Sequence, residues 1–168
     1  MDANTTGGSN VAVGRDALGA NTTGSFNQAF GRNALLTNTT GQYNNAFGND
    51  ALKVNTASSN SAFGHAALVA NTTGSLNTAV GANALATNVS GGDNVAVGNN
   101  ALTVSTGSRN TALGYNAMTD TTSGQDNTAV GTSALGNNTT ASNNTAVGKS
   151  ALTANTTGAS NTAVGRES

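Results

Sequence analysis

The chain has 168 residues and a net charge of -1, with only 8% charged and 4% aromatic residues, 22 Gly, and no Cys, Pro or Trp. So weak a charge gives no footing for nucleic acid or an anionic membrane surface. The absence of Cys excludes disulfide stapling, and no apolar run reaches the length that would insert in a membrane.

Asn and Thr make up about a third of the residues, a composition that would read as disorder if the order of residues were random. It is not random. Met1-Asp2-Ala3 leads straight into repeat sequence, so no secretory signal is expected in this chain. From Asn10 onward a phrase Asn-x-Ala-φ-Gly (φ apolar) recurs ten times, at Asn10, Asn27, Asn44, Asn60, Asn77, Asn94, Asn110, Asn127, Asn144 and Asn161. Successive copies lie 17 residues apart, except that two steps are of 16. A unit this short cannot bury apolar surface alone and must stack on its neighbours. The expected fold is therefore all-β, a parallel β-solenoid of about ten coils of 16–17 residues. It forms one repeat domain over 1–168: a partial coil over 1–9, nine full repeats over 10–160 and a partial coil over 161–168.

Counting slots from the Asn, the consensus over 17 positions is Asn-Thr-Ala-Val-Gly-x-x-Ala-Leu-x-x-Asn-Thr-Thr-Gly-x-x. Gly at slots 5 and 15 and the Thr pairs interrupt any helix. Two short strands per turn joined by Gly-bearing corners are expected instead. The expected interior ladder takes its large residues from slots 4 and 9 in each coil. These are Val13 and Leu18, Phe30 and Leu35, Phe47 and Leu52, Phe63 and Leu68, Val80 and Leu85, Val97 and Leu102, Leu113 and Met118, Val130 and Leu135, and Val147 and Leu152. Ala at slots 3 and 8 is expected where backbones approach closely. Phe30, Phe47 and Phe63 should stack as an aromatic ladder, and ten coils would span about 48 Å. Slots 6, 7, 16 and 17 vary freely, which marks them as exposed corners. The Asn at slots 1 and 12 are expected to form hydrogen-bonded ladders from coil to coil, with Asn also tolerant of corner conformations.

The phrases Asn77-Thr-Ala-Val-Gly81, Asn127-Thr-Ala-Val-Gly131 and Asn144-Thr-Ala-Val-Gly148, each followed by x-x-Ala-Leu, resemble head repeats of trimeric autotransporter adhesins. Similar repeats occur in phage tail-fibre proteins. The resemblance spans nearly the whole chain and implies a left-handed parallel β-roll, often trimeric, with the apolar residue before Gly facing inward. Each turn here carries an added Asn-Thr-Thr-Gly segment relative to those adhesin heads.

Little in the sequence suggests catalysis. His65 is the single His and falls in an exposed corner slot. The acids Asp2, Asp16, Asp50, Asp93, Asp120, Asp126 and Glu167 occupy several different slots, so no carboxylate pair recurs for acid–base work. The same scatter departs from the Gly-Asp pattern of calcium-binding β-rolls. Neither a metal, a cofactor nor an enzymatic activity is expected. Sequons such as Asn21-Thr-Thr fit a Thr ladder better than glycosylation.

The two ends fit each other. Residues 161–168 fill slots 1 to 8, and residues 1–9 fill slots 9 to 17, which together make one coil. A subunit junction formed by Asn161, Val164, Gly165 and Ser168 against Met1, Asp2, Ala3 and Asn4 would propagate a filament. The expected function is thus structural: an extracellular, cell-surface or virion-associated fibre, partnered by other copies of itself and by neither nucleic acid nor a membrane. The alternatives are a trimeric adhesin head or tail-fibre shaft segment whose corners meet an unknown receptor, and an ice-binding solenoid displaying the Thr of slot 13.

Overall fold

The computed structural model describes residues 3–168, so Met1 and Asp2 of the expected junction lie outside the described residues. One three-residue strand appears in every coil: β1 (Val11–Val13), β2 (Gln28–Phe30), β3 (Asn45–Phe47), β4 (Ser61–Phe63) and β5 (Thr78–Val80), then β6 (Val95–Val97), β7 (Thr111–Leu113), β8 (Thr128–Val130), β9 (Thr145–Val147) and β10 (Thr162–Val164). Each pairs in parallel with the next, giving a single ten-stranded sheet in sequence order. The fold is an all-β parallel solenoid.

Register is constant along the rod. Ala12 lies on Ala29, Ala79 on Ala96, and Ala163 on Ala146. The two short repeats do not disturb it, since Ala46 still meets Ala62 and Ala96 still meets Ala112. Their missing residue falls between slots 12 and 15, where Asn55 is followed two residues later by Ala57, a corner that absorbs the deletion.

Two expectations fail here. The first is the second strand. Slot 9 is left-handed in every full coil, from Leu18 at φ 50° to Leu152 at φ 49°, and an extended strand cannot pass through it. The backbone still bonds from coil to coil on that side, with Leu18 N–H donating to Ala34 O at 3.0 Å, Ala20 N–H to Leu36 O at 3.0 Å and Thr22 N–H to Thr39 O at 2.9 Å. The stacking bonds of a sheet thus persist without the strand conformation.

The second failure concerns the core. Successive strand residues face opposite sides, so slots 3 and 4 cannot both point inward. Ala takes the interior: Ala29, Ala46, Ala62, Ala79, Ala96, Ala112, Ala129 and Ala146 are fully buried. The slot-4 residues Val13, Phe30, Phe47, Phe63, Val80, Val97, Leu113, Val130, Val147 and Val164 stand on the outer face, half-buried to exposed, with Phe63 at 41% and Leu113 at 46%. From the opposite wall Leu18, Leu35, Leu52, Leu68, Leu85, Leu102, Met118 and Leu135 reach in with no exposure, and Leu152 is partly buried. Ala at slot 8 completes the layer. A coil this thin holds one large side chain, and the left-handed turn aims Leu into that space. Burying each Leu contributes roughly 1.5–3 kcal/mol, which offsets the roughly 1–2 kcal/mol cost of its left-handed backbone.

Candidate functional site

Three features of the coil offer surfaces or polar groups that could act. The first is internal and polar. The slot-1 and slot-12 Asn of the internal coils are buried, Asn27, Asn38, Asn44, Asn71 and Asn88 completely so. They do more than stack. In one coil Asn10 Nδ2 and Asn21 Nδ2 both donate to Gly24 O, at 2.7 and 3.0 Å. The same convergence recurs on Gly41 O from Asn27 and Asn38, on Ala57 O from Asn44 and Asn55, on Gly74 O from Asn60 and Asn71, and on Gly91 O from Asn77 and Asn88. Two carboxamides from opposite ends of the coil therefore close on one carbonyl. The slot-1 Oδ1 faces the next coil and accepts its backbone N–H: Asn27 N–H donates to Asn10 Oδ1 at 2.9 Å, and the pattern continues through Asn44, Asn60, Asn77, Asn94, Asn110, Asn127, Asn144 and Asn161. On the slot-12 side Asn38 Nδ2 reaches Asn21 Oδ1 at 3.2 Å and Asn88 Nδ2 reaches Asn71 Oδ1 at 2.8 Å. Sequence reasoning expected ladders and missed the clamp on the slot-15 carbonyl. Its signal was the joint recurrence of Asn at slots 1 and 12 with a small residue at 15. Most of these amide groups are bonded within the fold, while Asn38 Oδ1, Asn88 Oδ1 and Asn144 Nδ2 are buried without a partner.

The second feature is the outer face of the sheet. Slots 2 and 4 share it, and slot 4 forms an unbroken apolar stripe from Val13 to Val164, whose exposures are 54% and 72%. Phe30 stacks on Phe47 with ring centroids 4.6 Å apart, and Phe47 on Phe63 at 5.0 Å. The aromatic ladder is present, on the surface rather than in the core. Val11 and Val95 at slot 2 widen the stripe, and the Thr of slot 2 flank it elsewhere. Alternation along Asn-x-Ala-φ-Gly was the available signal that slots 2 and 4 point the same way.

The third feature is the slot-17 corner. Phe26 and Tyr43 stack there with centroids 5.1 Å apart and planes parallel to 1°, both about half exposed. Further along, Arg109 grips Asp126 with two bonds of 2.7 and 2.9 Å and donates to Gln125 at 2.8 Å. That bond and the guanidinium charge hold the Asp126 carboxyl below its ordinary range. The pair is solvent-exposed, and such pairs add little to stability.

The remaining chemistry-bearing groups stay apart. His65 lies exposed at its corner, and among the described residues no three His, Cys, Asp or Glu side chains group as metal ligands. A shallow polar depression of about 260 Å³, lined by Asn116, Thr119, Asp120, Ser133, Gly136, Asn137 and Thr153, holds a single titratable side chain, Asp120. No helix among the described residues is long and apolar enough to cross a membrane. Most slot-13 hydroxyls are engaged: Thr22 Oγ1 donates to Thr39 O at 3.1 Å, and Thr72, Thr106, Thr122 and Thr139 donate likewise. They brace the next coil rather than offer a free donor array.

Asp50 is a half-buried carboxylate bonded to the neighbouring coil. Asn33 Nδ2 donates to its Oδ1 at 2.8 Å, and this bond holds its carboxyl below the ordinary range, with Lys53 assisting against partial burial. A lowered folded-state pKa stabilises the fold above the ordinary carboxylate range, and that stabilisation is lost as pH falls through the folded value. The thermal midpoint of the wild type is expected to drop slightly on acidification through this range, and Asp50→Asn to remove part of that slope. Equal slopes in the two proteins would show that Asp50 does not contribute.

At the ends, Ala3, Asn4, Gly165 and Ser168 are exposed. Asn4 Oδ1 accepts from Asn21 Nδ2 at 2.9 Å, and Ser168 O accepts from Leu152 N–H at 2.9 Å, so the two partial coils are bonded to the coils beside them. Asn161 is half-buried, and Val164 continues the outer stripe. Comparison with family models, with curated proteins and with solved structures finds no match to this chain.

Proposed function

We propose that the chain is a structural rod that assembles with copies of itself into an extracellular or virion-associated fibre. The observation that carries this reading is the slot-4 stripe. Ten apolar residues, one per coil, lie in a straight file on the outer face of the sheet. A contiguous apolar patch of that extent marks an interaction surface. Its repeat is the repeat of the rod, so the partner that matches it along its whole length is another rod of the same pitch. Lateral association, stripe against stripe, favours the shaft or adhesin-head form of the fibre, with three chains around a shared apolar axis. Axial growth fits the same molecule, because stacking one more coil on β1 or β10 would repeat the contact already made at every internal step.

Sedimentation equilibrium tests the lateral contact. The expected mass is three times the 16.3 kDa of one chain. The triple variant Phe47→Lys, Val97→Lys and Val130→Lys, which alters only outer-face residues, is expected to sediment as a monomer with an unchanged circular dichroism spectrum. A wild type that stays monomeric at high concentration, and forms no fibres by electron microscopy, would overturn the reading.

The receptor-binding alternative draws on the exposed Phe26–Tyr43 stack at the slot-17 corner. Ice binding has less support, because the slot-13 hydroxyls donate to the backbone. A thermal-hysteresis assay is expected to read zero.

A further inference from the structure

The double-amide clamp loses its slot-12 amide at two neighbouring internal coils, and we propose that this is a built-in joint, the place where the rod opens and bends first. Slot 12 holds Ser105 and Thr121 where the other full coils hold Asn. Both side chains are buried, at 1% and 0% exposure, and neither hydroxyl finds a hydrogen-bond partner. Asn88 Oδ1, one coil step before Ser105, also lacks a partner, as does Asn38 Oδ1 one step before Asn55, so this orphan accompanies the two short repeats. Gly107 O and Gly124 O each keep a single amide, from Asn94 at 3.0 Å and Asn110 at 2.9 Å.

The backbone loosens at the same point. Elsewhere the slot-12 N–H closes a turn onto the slot-9 carbonyl, as Asn71 does to Leu68 O at 3.1 Å and Asn138 to Leu135 O at 3.1 Å. The other slot-12 residues make this bond at 3.1–3.3 Å; from Thr121 it is 3.4 Å, at the long end of the series, and from Ser105 it is absent. Ser105 also sits in a repeat of 16 residues, but shortening alone is not the cause. Asn55 occupies the same slot of the other short repeat, and its Nδ2 still reaches Ala57 O at 2.8 Å while its Oδ1 accepts from Asn71 at 2.7 Å. The missing slot-12 bond to the slot-15 carbonyl follows the side chain.

On the opposite wall nothing is weakened. Val95 pairs with Thr111 and Thr111 with Thr128, while Leu102 and Met118 remain fully buried. One wall of the coil is therefore intact and the other carries buried polar groups without partners, each of which is costly. Opening would proceed from the slot-12 side with the sheet acting as the spine of the hinge. Local openings of this kind are what native-state hydrogen exchange reports.

The test is hydrogen–deuterium exchange on the whole chain. Amides in 103–107 and 119–124 are expected to exchange about tenfold faster than their counterparts in 53–57 and 69–74. The double variant Ser105→Asn and Thr121→Asn, with Asn55 as precedent for the fit in a short coil, should bring those rates down to the level of the other coils. Asn55→Ser should in turn create a second fast segment. Exchange at 103–124 no faster than in the other internal coils would overturn the proposal. So would fast exchange that the double variant leaves unchanged while remaining folded. If the variants do not fold, the wild-type exchange pattern alone decides.

Discussion

Gly81→Ala is expected to lower the unfolding midpoint by about 10 °C, and to do so by breaking the rod at one coil. Gly81 has φ +131°, a region that only Gly occupies without strain, and a Cβ there would sit 2.5 Å from Gly98 O and 2.6 Å from Gly98 C. Neither contact can be relieved by a side-chain rotation, because the obstructing atoms are the backbone of the next coil. The strain and the displaced coil together cost on the order of 3 kcal/mol or more. In a domain of this size each kcal/mol lowers the midpoint by roughly 2–4 °C. Because each repeat contacts only its neighbours, the loss should be local. Hydrogen exchange should therefore accelerate around 81–98 more than at the ends. Gly8→Ala is the control, since a Cβ at Gly8 meets nothing within 4 Å. It should leave the midpoint unchanged or raise it slightly. Equal effects of the two substitutions would mean that close backbone stacking does not govern slot 5.

Asn77 is the second site of large effect, and the choice of replacement separates its two roles. Its Oδ1 accepts the Asn94 N–H at 3.0 Å, and its Nδ2 donates to Gly91 O at 2.9 Å. Asn77→Leu fills similar volume but strands the Asn94 N–H in the interior, a loss of about 1–3 kcal/mol. Asn77→Asp keeps the acceptor and removes the donor, and it places a carboxyl where the native side chain is 1% exposed. Burial disfavours the ionised form, so the folded-state pKa of that Asp lies above its unfolded value. The folded state then holds a proton that the unfolded state has released, and stability falls as pH rises through that interval. The expected slope is up to about 1.4 kcal/mol per pH unit. The variant should thus approach the wild type in acid and diverge from it near neutrality, the reverse of the Asp50 contribution. A variant whose stability tracks the wild type at every pH would show that slot 1 is solvated and that the clamp is not closed.

Leu85, Val80 and Asn88 illustrate how far the repeat could be read. Leu85 at slot 9 is fully buried in keeping with its identity, because no other large apolar residue recurs on that side of the coil. Val80 is the opposite case. It is as apolar as an interior residue, precedes an obligatory Gly and lies beside Ala79, yet it stands at 38% exposure while Ala79 is buried completely. Only the alternation of the strand, taken with the width of the coil, decides between them. Asn88 was legible as a stacked amide, but its bond to Gly91 O depends on a corner that brings slots 12 and 15 together.

The sequence by itself determined the period, the parallel stacking, the constant register and the polar ladders, because a strict repeat forces each coil to meet the same residues in its neighbours. It also marked the corners, through the slots that vary. Tertiary structure alone decided which face of the strand looks inward. The interior is too thin for a large residue from both walls, and Leu from the left-handed turn at slot 9 occupies it first. Slot 4 is thereby turned outward as an apolar stripe. The left-handed backbone of slot 9, and of slot 17 where it holds Phe26 or Leu76, was equally beyond local reading, since Leu and Phe do not favour it on their own. What holds them there is the fixed spacing of coil on coil, a constraint that exists only once the rod has formed.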